Sequence, residues 1–321
     1  MENNNANREH KKVAILMSTY NGEKYLERQI DSILSQNIAY DIDLIIRDDG
    51  SSDETVDILK KYQEENNNIY LILDKNIGVV KSFFALLEYA YKNNYEYYSF
   101  SDQDDYWLPN KVSIAINTLM EYDNDYPLLY GNCSKLVDQN LNDLGSVTQT
   151  QRREITFYNT AIQNFCPGHA QVINKKLAGI ILDRTKSYEQ IYVHDLWVTA
   201  SASVCGKIIF DNEPHTLYTM HQDNELGFGK SRIDWIKQHI QRMQKNEAKK
   251  MAIQLQYFAE CYSDDLDGEA KKEIANFIDS QKSFMRRVIY ALTTKFYRQK
   301  SKETFMFKVL YVLGKYNVVK N

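Results

Sequence analysis

The chain is short of the residues and patterns that mark several large classes of protein. Its four cysteines, at positions 133, 166, 205 and 261, show no metal-ligand spacing, which argues against a zinc module and fits a reducing compartment. No apolar run is long enough to span a bilayer, and the polar, asparagine-rich residues 1–12 lack the apolar core of a signal peptide. The sequence therefore predicts a cytoplasmic protein in which residues 1–11 are disordered.

Glycine-rich phosphate-binding loops are also missing. The first apolar run, residues 13–17, is followed by Ser18-Thr19-Tyr20-Asn21-Gly22, which is neither a Gly-x-Gly-x-x-Gly dinucleotide fingerprint nor a Gly-Lys-Ser/Thr loop. A nucleotide would have to be bound in another way here, by a carboxylate at the base or ribose and by a metal ion at the diphosphate.

What the chain does contain is an alternation of predicted strands and helices. Short apolar runs at residues 13–17, 43–47, 69–73 and 97–100 predict buried strands, and the segments between them have the apolar spacing of helices. Ser51 and Glu54 form a capping-box pattern before the second of these helices. Strands that alternate with helices form right-handed βαβ units, so we predict an α/β fold with a mostly parallel sheet flanked by helices.

Three polar clusters occupy equivalent places, each directly after a predicted strand. They are Thr19–Asn21, Asp48–Asp49 and Asp102–Asp105. The carboxyl ends of parallel strands share one edge of the sheet, where open α/β folds bind their ligands. The clusters are therefore expected to meet in one site.

The third cluster, Asp102-Gln103-Asp104-Asp105, carries three carboxylates in four positions. These groups repel one another unless a cation or several hydrogen-bond donors lie among them, and their oxygens suit Mg²⁺ or Mn²⁺. An acidic turn that caps the following helix is the alternative interpretation.

Taken together, Ser18–Gly22, Arg47-Asp48-Asp49-Gly50-Ser51-Ser52-Asp53 and Asp102–Asp105 resemble the ordered motifs of family 2 glycosyltransferases of the GT-A fold. The Asp-Gln-Asp-Asp-Tyr-Trp variant is similar to that of bacterial rhamnosyltransferases acting on surface polysaccharides. The resemblance implies a GT-A (Rossmann-like) catalytic domain over residues 12–228 and a helical, basic C-terminal region over residues 229–321. Within the domain, the polar residues 138–153 are predicted to be a mobile loop.

The resemblance also implies roles for single residues. Nucleotide and donor contacts fall on Thr19, Tyr20, Asn21, Glu23, Asp49, Lys81, Asp102 and Gly168. The implied ligands of Mg²⁺ or Mn²⁺ are Asp102, Asp104 and His221, with Asp104 the more direct one. A structural role for His221 and a simple turn at Gly168 are the alternatives. The arginine that the family carries near His221 is replaced here by Thr219 or Met220.

The segment His194-Asp195-Leu196-Trp197 resembles the family's acidic motif, whose carboxylate is the catalytic base. Asp195 is therefore the implied base, and His194 and Trp197 are implied to contact the acceptor. Because aspartate is also a preferred first residue of helices, capping is the alternative role of Asp195.

Charge is divided unequally along the chain. Residues 230–321 contain 19 Lys and Arg against 10 Asp and Glu, which leaves 20 against 33 in the preceding residues. In residues 281–321 there are ten basic residues and one acidic residue, Glu303, interleaved with aromatic side chains at helical spacing. Either these helices pack on the domain or on a second subunit of a homodimer, or they bind an anionic membrane surface as a peripheral protein does. No recognised nucleic-acid module is present, so nucleic acid is not a predicted partner.

The implied function is metal-dependent, inverting transfer of a sugar from a nucleotide-diphosphate donor to a saccharide or lipid-linked saccharide in the synthesis of a surface polysaccharide such as a capsule. The implied donor is dTDP-L-rhamnose, with a UDP-hexose or UDP-N-acetylhexosamine as the alternative. A sugar-nucleotide pyrophosphorylase is more remote, because Ser18–Glu23 lacks that class's glycine-rich basic loop. A non-catalytic carbohydrate-binding protein would leave the acidic cluster and Asp195 unexplained.

Overall fold

The computed structural model describes residues 12–220 and 246–318, which fall into two compact units. The first unit comprises Met1–Thr150, Cys166–Asp183 and Gly206–Thr219, and the second comprises Gln151–Phe165, Arg184–Cys205 and Met220–Asn321. The second unit thus takes two segments from the range that the sequence assigns to the catalytic domain. The predicted disorder of residues 1–11 and the predicted boundary at residue 228 lie outside the described residues.

The first unit is built on a sheet of nine strands within the part of the chain that the structure describes. The strands are β1 (Lys12–Thr19), β2 (Asp41–Asp48), β3 (Ile69–Leu73), β4 (Tyr97–Ser101), β5 (Tyr106–Trp107), β6 (Leu128–Val137), β7 (Asp143–Val147), β8 (Gln171–Asn174) and β9 (Lys207–Thr219). Their order in the sheet is β3-β2-β1-β4-β8-β6-β9-β5, and β7 pairs with β6.

The first four strands are parallel, as predicted. Strand β1 pairs with β2 on one side and with β4 on the other, and β2 pairs with β3. Beyond β4 the sheet is mixed, because β8 runs antiparallel to both β4 and β6 while β9 runs parallel to β6. The result is a GT-A arrangement, in which a parallel Rossmann-like half continues into a mixed half.

Helices connect and cover these strands. In the first unit they are α1 (Leu26–Leu34), α2 (Thr55–Glu65), α3 (Val79–Lys92), α4 (Lys111–Leu119) and α6 (Lys175–Arg184), with a 3₁₀ turn at Gly168–Ala170. The residues Val13–Met17 of β1 are fully buried, which explains why this strand is a continuous apolar run. Each of the larger side chains, Val13, Ile15, Leu16 and Met17, contributes about 1.5–3 kcal/mol by leaving water.

The order of the strands fixes the position of the site. After β1 the chain adds β2 and β3 on one side and then crosses to place β4 on the other. The loops that follow β1, β2 and β4 therefore diverge around a crevice at the carboxyl edge of the sheet, which is where such folds bind ligands.

Two local predictions are wrong. Helix α2 begins at Thr55 without a side-chain cap, and Ser51 instead donates its hydroxyl to Asp48 at 2.6 Å, so the capping box does not form. The predicted loop at residues 138–153 contains strand β7, because β6 continues to Val137, beyond its pairing with β8, and there offers backbone partners that polar composition does not reveal.

The second unit is helical in its described part. Its helices are α5 (Phe157–Thr160), α7 (His194–Cys205), α8 (Glu247–Cys261), α9 (Gly268–Asp279), α10 (Phe284–Thr293) and α11 (Ser301–Val312), with a 3₁₀ turn at Ser280–Lys282. Aromatic side chains form its interior; for example, the rings of Phe258 and Tyr262 stack with centroids 4.3 Å apart. In the described residues we find no helix with the length and apolarity needed to cross a bilayer.

Candidate active site

The loop after β2 is organised by the carboxylate of Asp48. One of its oxygens accepts the backbone N–H groups of Gly50 and Ser51, at 3.1 and 2.9 Å. The other accepts the hydroxyls of Ser51, at 2.6 Å, and of Thr19, at 3.0 Å. Asp48 therefore joins the loop after β2 to the end of β1, and Thr19 serves this junction from a buried position.

Asp49, which the sequence assigns to the nucleotide base, is buried in the same loop. Its carboxylate accepts the backbone N–H groups of Ile77 and Gly78 at 2.8 and 2.9 Å, and it forms an ion pair with Arg47. Arg47 also reaches the backbone carbonyl of Lys75 at 3.0 Å. This buried pair holds the start of α3 against the end of β2.

The loop after β1 is tied to the loop after β4 through Gln103. The side-chain carboxamide of Gln103 accepts the N–H of Tyr20 at 2.9 Å and donates to the carbonyl of Tyr20 at 3.1 Å. Asn21 has a left-handed backbone, with φ of 47°, and its side chain accepts the N–H of Ser52 at 2.8 Å. The predicted nucleotide residues Tyr20 and Asn21 are therefore held in place and exposed to solvent.

The acidic loop after β4 contributes to a cluster of three ligand-type side chains. Asp102, Asp105 and His169 each offer one atom within 4.8 Å of the others. The Nδ1 atom of His169 lies 3.3 Å from Asp102 and 3.6 Å from Asp105, and its Nε2 atom lies 2.8 Å from the hydroxyl of Ser134. Among the described residues this is the group that can hold a metal ion.

The electrostatics of this cluster favour a cation. Burial raises the pKa of Asp105 to about 8, although the charge of His169 acts in the opposite direction. Burial by itself lowers the pKa of His169, but the charge of Asp105 and the hydrogen bond with Asp102 outweigh it, so the pKa is raised. The field that favours protonated His169 also favours a divalent cation.

The three side chains of this cluster suit a metal ion for a second reason. Both oxygens of Asp105 are buried and form no well-aligned hydrogen bond within the described residues, which is costly for a carboxylate unless a ligand satisfies it. Asp102 is partly exposed, whereas Asp105 and His169 are buried. Two carboxylates and one imidazole are acceptable ligands for Mn²⁺ or Mg²⁺.

The remaining predicted metal and donor residues lie as follows. Asp104 is half-buried beside the cluster, and its backbone carbonyl accepts a hydrogen bond from Arg28 at 3.3 Å. Glu23 accepts the N–H of Glu54 at 2.9 Å, Lys81 lies in the first turn of α3, and Gly168 opens the buried 3₁₀ turn that carries His169. The roles assigned to them stay predictions, and His221 lies outside the described residues.

A buried lysine lies behind the acidic loop. The Nζ atom of Lys111 lies 3.7 Å from the centre of the Trp107 ring, and no hydrogen-bond partner for it is found in the described part of the chain. Burial lowers the pKa of Lys111 to about 7, against the charges of Asp105 and Cys166, which raise it. Lys111 is thus buried between the acidic loop and an aromatic face, where loss of its proton is favoured.

The implied base, Asp195, belongs to the second unit. It is the second residue of α7 and accepts hydrogen bonds from the side chain of Asn164 at 2.7 Å and from the N–H of Leu196 at 2.8 Å. The two oxygens of Asp195 are thereby oriented from two directions. Asn164 was not singled out by the sequence, because it lies 31 residues away and carries no motif.

The two implied acceptor residues flank Asp195. His194 is buried and begins α7. Trp197 is fully buried, donates its ring N–H to Thr185 at 2.9 Å and packs against Phe258, with ring centroids 5.2 Å apart. This packing gives Trp197 a role in the interior of the second unit, and its acceptor contact remains only a prediction.

His169 and Gln103 are residues of the first unit to which the sequence assigned no role in the site. His169 stands next to Gly168, in a segment that was noted only for its glycine. Gln103 lies between two predicted carboxylates. A histidine three residues after Cys166 and an amide inside an acidic cluster were the available signals, but neither is specific.

The crevice and the mixed sheet define the GT-A class of glycosyltransferase folds. The family model described as "Glycosyl transferase family 2" matches residues 14–179, which is more than half of the chain. The chain belongs to glycosyltransferase family 2.

Two curated relatives are similar over most of their length. The dTDP-rhamnosyl transferase RfbG of Shigella flexneri is 31% identical over 219 residues, covering 66% of this chain and 73% of the relative. A Campylobacter jejuni protein named GalNAc(5)-diNAcBac-PP-undecaprenol beta-1,3-glucosyltransferase is 26% identical over 231 residues, covering 69% of each chain. Among solved structures, S. aureus TarS 1–349 in complex with UDP superposes with a TM-score of 0.55 at 17% identity, covering 95% of this chain and 89% of that one. This structural likeness supports the fold alone.

Proposed function

We propose that this glycosyltransferase is an inverting enzyme that transfers L-rhamnose from dTDP-L-rhamnose to a saccharide carried on a lipid, during the synthesis of a cell-surface polysaccharide. The choice of dTDP-L-rhamnose as the donor rests on the 31% identity to a dTDP-rhamnosyl transferase, which extends over 66% of this chain. The name of the Campylobacter jejuni relative specifies a lipid-linked acceptor, which supports an acceptor of that class here.

The first unit supplies the donor side of the proposed reaction. Asp48 and Asn21 fix the loops after β1 and β2, and the exposed Tyr20, at the start of the first of these loops, is held by Gln103 of the acidic loop. A nucleotide that enters this crevice would meet a preformed backbone rather than one that must reorder. Preorganisation of this kind reduces the entropy lost on binding.

Asp102, Asp105 and His169 would hold a Mg²⁺ or Mn²⁺ ion, with Asp104 as the further ligand that the resemblance implies. When bound, such an ion would neutralise the diphosphate and offset the charge that develops on the leaving nucleotide.

Asp195 is the proposed general base. Its carboxylate takes the proton of an acceptor hydroxyl while that oxygen forms a bond to the anomeric carbon, from the face opposite the diphosphate. The bond between the anomeric carbon and the diphosphate oxygen breaks, and its electron pair leaves with the nucleoside diphosphate. The transition state has oxocarbenium character, and the sugar is inverted. The hydrogen bond from Asn164 aims Asp195 for this task.

The test is a donor panel. The full chain is incubated with dTDP-L-rhamnose, UDP-glucose and UDP-N-acetylglucosamine, with Mn²⁺, with Mg²⁺ and with chelator, and release of nucleoside diphosphate is measured. We expect the highest kcat/KM with dTDP-L-rhamnose and metal. A UDP-sugar preferred by tenfold or more would replace the rhamnose donor with the UDP-hexose alternative.

A second measurement separates the class from the donor. Anomeric configuration of the product, followed by NMR, must be opposite to that of the donor for an inverting enzyme. Retention would contradict the proposed single displacement whatever the donor sugar is.

A further inference from the structure

Helix α10 presents its apolar face to solvent. Apolar residues at positions i, i+4 and i+7 of a helix share one face, and that face normally points to the core. In α10 the residues with this spacing are Met285, Ile289 and Leu292, and they are 64%, 57% and 78% exposed. Phe284, 57% exposed, extends the same face.

The opposite face of α10 is already satisfied. Tyr290 and Ala291 are buried, and Tyr290 donates a hydrogen bond to Glu273 at 2.6 Å and packs against Tyr311 of helix α11, with ring centroids 4.8 Å apart. The helix therefore has two apolar sides, of which only one is used inside the second unit.

Helix α11 repeats this arrangement. Phe307 and Tyr311 are buried on its inner side, whereas Phe305 and Leu313, at the helix and its C-terminal end, are exposed. Lys302 lies one turn before Phe305 and is also exposed. The two helices are joined directly, since Arg287 donates to the carbonyl of Val312 at 3.0 Å.

Cations predominate around this apolar face. From residue 281 to residue 318 the chain carries nine Lys and Arg and one acidic residue, Glu303. Ion pairs join Lys282 and Arg286 to Asp279, Lys295 to Glu269, and Lys300 to Glu303. The nine cations therefore outnumber the three carboxylates with which they pair. Exposed apolar side chains bordered by cations are the surface that fits the boundary between anionic headgroups and acyl chains.

We propose that α10 and α11 form a membrane-docking face, defined by Phe284, Met285, Ile289, Leu292 and Phe305, which inserts into the interfacial region of an anionic lipid bilayer. A second copy of this chain is a poorer occupant, because a two-fold contact would place the same cations against each other. The lipid-linked acceptor of the proposed function would be met at this membrane surface, but docking to the membrane does not depend on the donor or on catalysis.

The experiment is vesicle co-sedimentation of the full chain, without donor or acceptor. Vesicles of phosphatidylcholine alone are compared with vesicles that also contain phosphatidylglycerol, at low and at high salt. We expect binding to the anionic vesicles at low salt and release at high salt, because exposed charges are screened over about 8 Å at physiological ionic strength.

Two pairs of variants separate the apolar and the charged contributions. Ile289→Gln with Leu292→Gln removes apolar area from exposed helix positions, and Met120→Gln with Val147→Gln removes exposed apolar area elsewhere as the matched control. The charge test is a double variant, Lys302→Gln and Lys308→Gln, which removes two cations from α11. Its control is the double variant Lys60→Gln and Lys92→Gln, which removes two cations from the first unit. Loss of two cations from the face is expected to weaken binding by about 30-fold. Circular dichroism and thermal melting confirm that every variant is folded.

Three outcomes overturn the proposal. They are no binding to anionic vesicles at low salt, equal loss of binding in the test and control variants, and a lipid-free dimer that Ile289→Gln with Leu292→Gln converts to a monomer in analytical ultracentrifugation. The last would assign the face to a contact between two copies. Donor hydrolysis is measured in parallel, so a failure of the proposed function is recorded separately.

Discussion

His169 lies between a partly exposed and a fully buried carboxylate, with its Nδ1 atom 3.3 Å from Asp102 and 3.6 Å from Asp105. The ring is stacked on Tyr218, with centroids 5.0 Å apart, and its other nitrogen contacts Ser134. A histidine fixed on both sides in this way presents one nitrogen in a defined direction. It is therefore suited to complete the ligand set that the acidic loop begins.

The first prediction concerns the metal ion. Chelation is expected to silence transfer, Asp104→Asn to abolish it, and His169→Ala to weaken Mn²⁺ binding by about 10–100-fold. Mn²⁺ affinity is measured by calorimetry in the presence of nucleoside diphosphate. His215→Ala is the control, since His215 pairs with Asp211 at 2.9 Å and is not part of the cluster. Full turnover in excess EDTA would disprove the metal requirement.

The second prediction concerns the base. Asp195→Asn keeps the shape of the side chain but removes its ability to accept the proton, so kcat should fall by about 10²–10⁴-fold while donor affinity is unchanged. Donor binding by calorimetry is compared with turnover of the same preparation. If affinity falls as far as the rate does, Asp195 is a binding residue instead.

The third prediction concerns Asn164, which we treat as a positioning residue. Asn164→Ala removes the 2.7 Å hydrogen bond to Asp195 and should lower kcat by about tenfold, as expected for one hydrogen bond to a charged group, with KM for the donor unchanged. The distinguishing readout is the change in kcat and KM, measured beside thermal melting, because a positioning residue lowers kcat while the KM for the donor and the melting temperature stay unchanged. A melting temperature that falls together with kcat would leave Asn164 a purely structural residue.

The fourth prediction compares two ion pairs of the same chemistry. Arg47 and Asp49 are buried, so Arg47→Met leaves a carboxylate without its cation and should lower the free energy of unfolding by about 3–5 kcal/mol. Arg286 and Asp279 are exposed, so Arg286→Met should leave the free energy of unfolding nearly unchanged. Urea denaturation measures both. Equal effects would mean that the buried pair is not what holds the loop.

The fifth prediction is a pH dependence of stability. Lys111 has an ordinary pKa of 10.5 when unfolded and a pKa of about 7 when buried, so between these values the unfolded chain binds a proton that the folded protein lacks. Stability should therefore rise with pH in this window, by up to about 1.4 kcal/mol per pH unit, and be lost as the pH falls through about 7.

Asp105, with a pKa raised to about 8, acts in the opposite direction below that pH, so the clearest range is just above pH 8. Urea denaturation of the wild type is compared with that of Lys111→Met, in which the rise should disappear. Parallel curves for the two proteins would show that Lys111 does not titrate as its burial indicates.

Some parts of this fold follow from local sequence and others do not. The apolar runs of β1, β2 and β4 predicted the parallel half because a strand covered on both faces must be apolar throughout. Strand β7 was missed because its pairing depends on β6 and not on its own composition. Likewise, residues 184–205 join the helical unit through contacts such as Trp197 with Phe258, which no local pattern reveals.

The same distinction applies to the site. The clusters Asp48–Asp49 and Asp102–Asp105 were expected at one edge because they follow strands, and strand ends converge by topology. The roles of Asp49 and Asp102 came from the family resemblance and stay predictions. His169 and Gln103 act through partners 67 and 83 residues away in the chain, and neither belongs to a periodic pattern. Their contacts depend on the packing of side chains from distant segments, which cannot be predicted from a single sequence.

The two hydrogen bonds between Gln103 and Tyr20 join two loops that are far apart in the sequence. Gly22 leaves the space for this contact, since a Cβ atom there would lie 2.3 Å from the Gln103 side chain. Displacement of one loop must displace the other. A substitution at Gln103 would therefore be felt at the backbone of Tyr20, in a segment of the sequence 83 residues away.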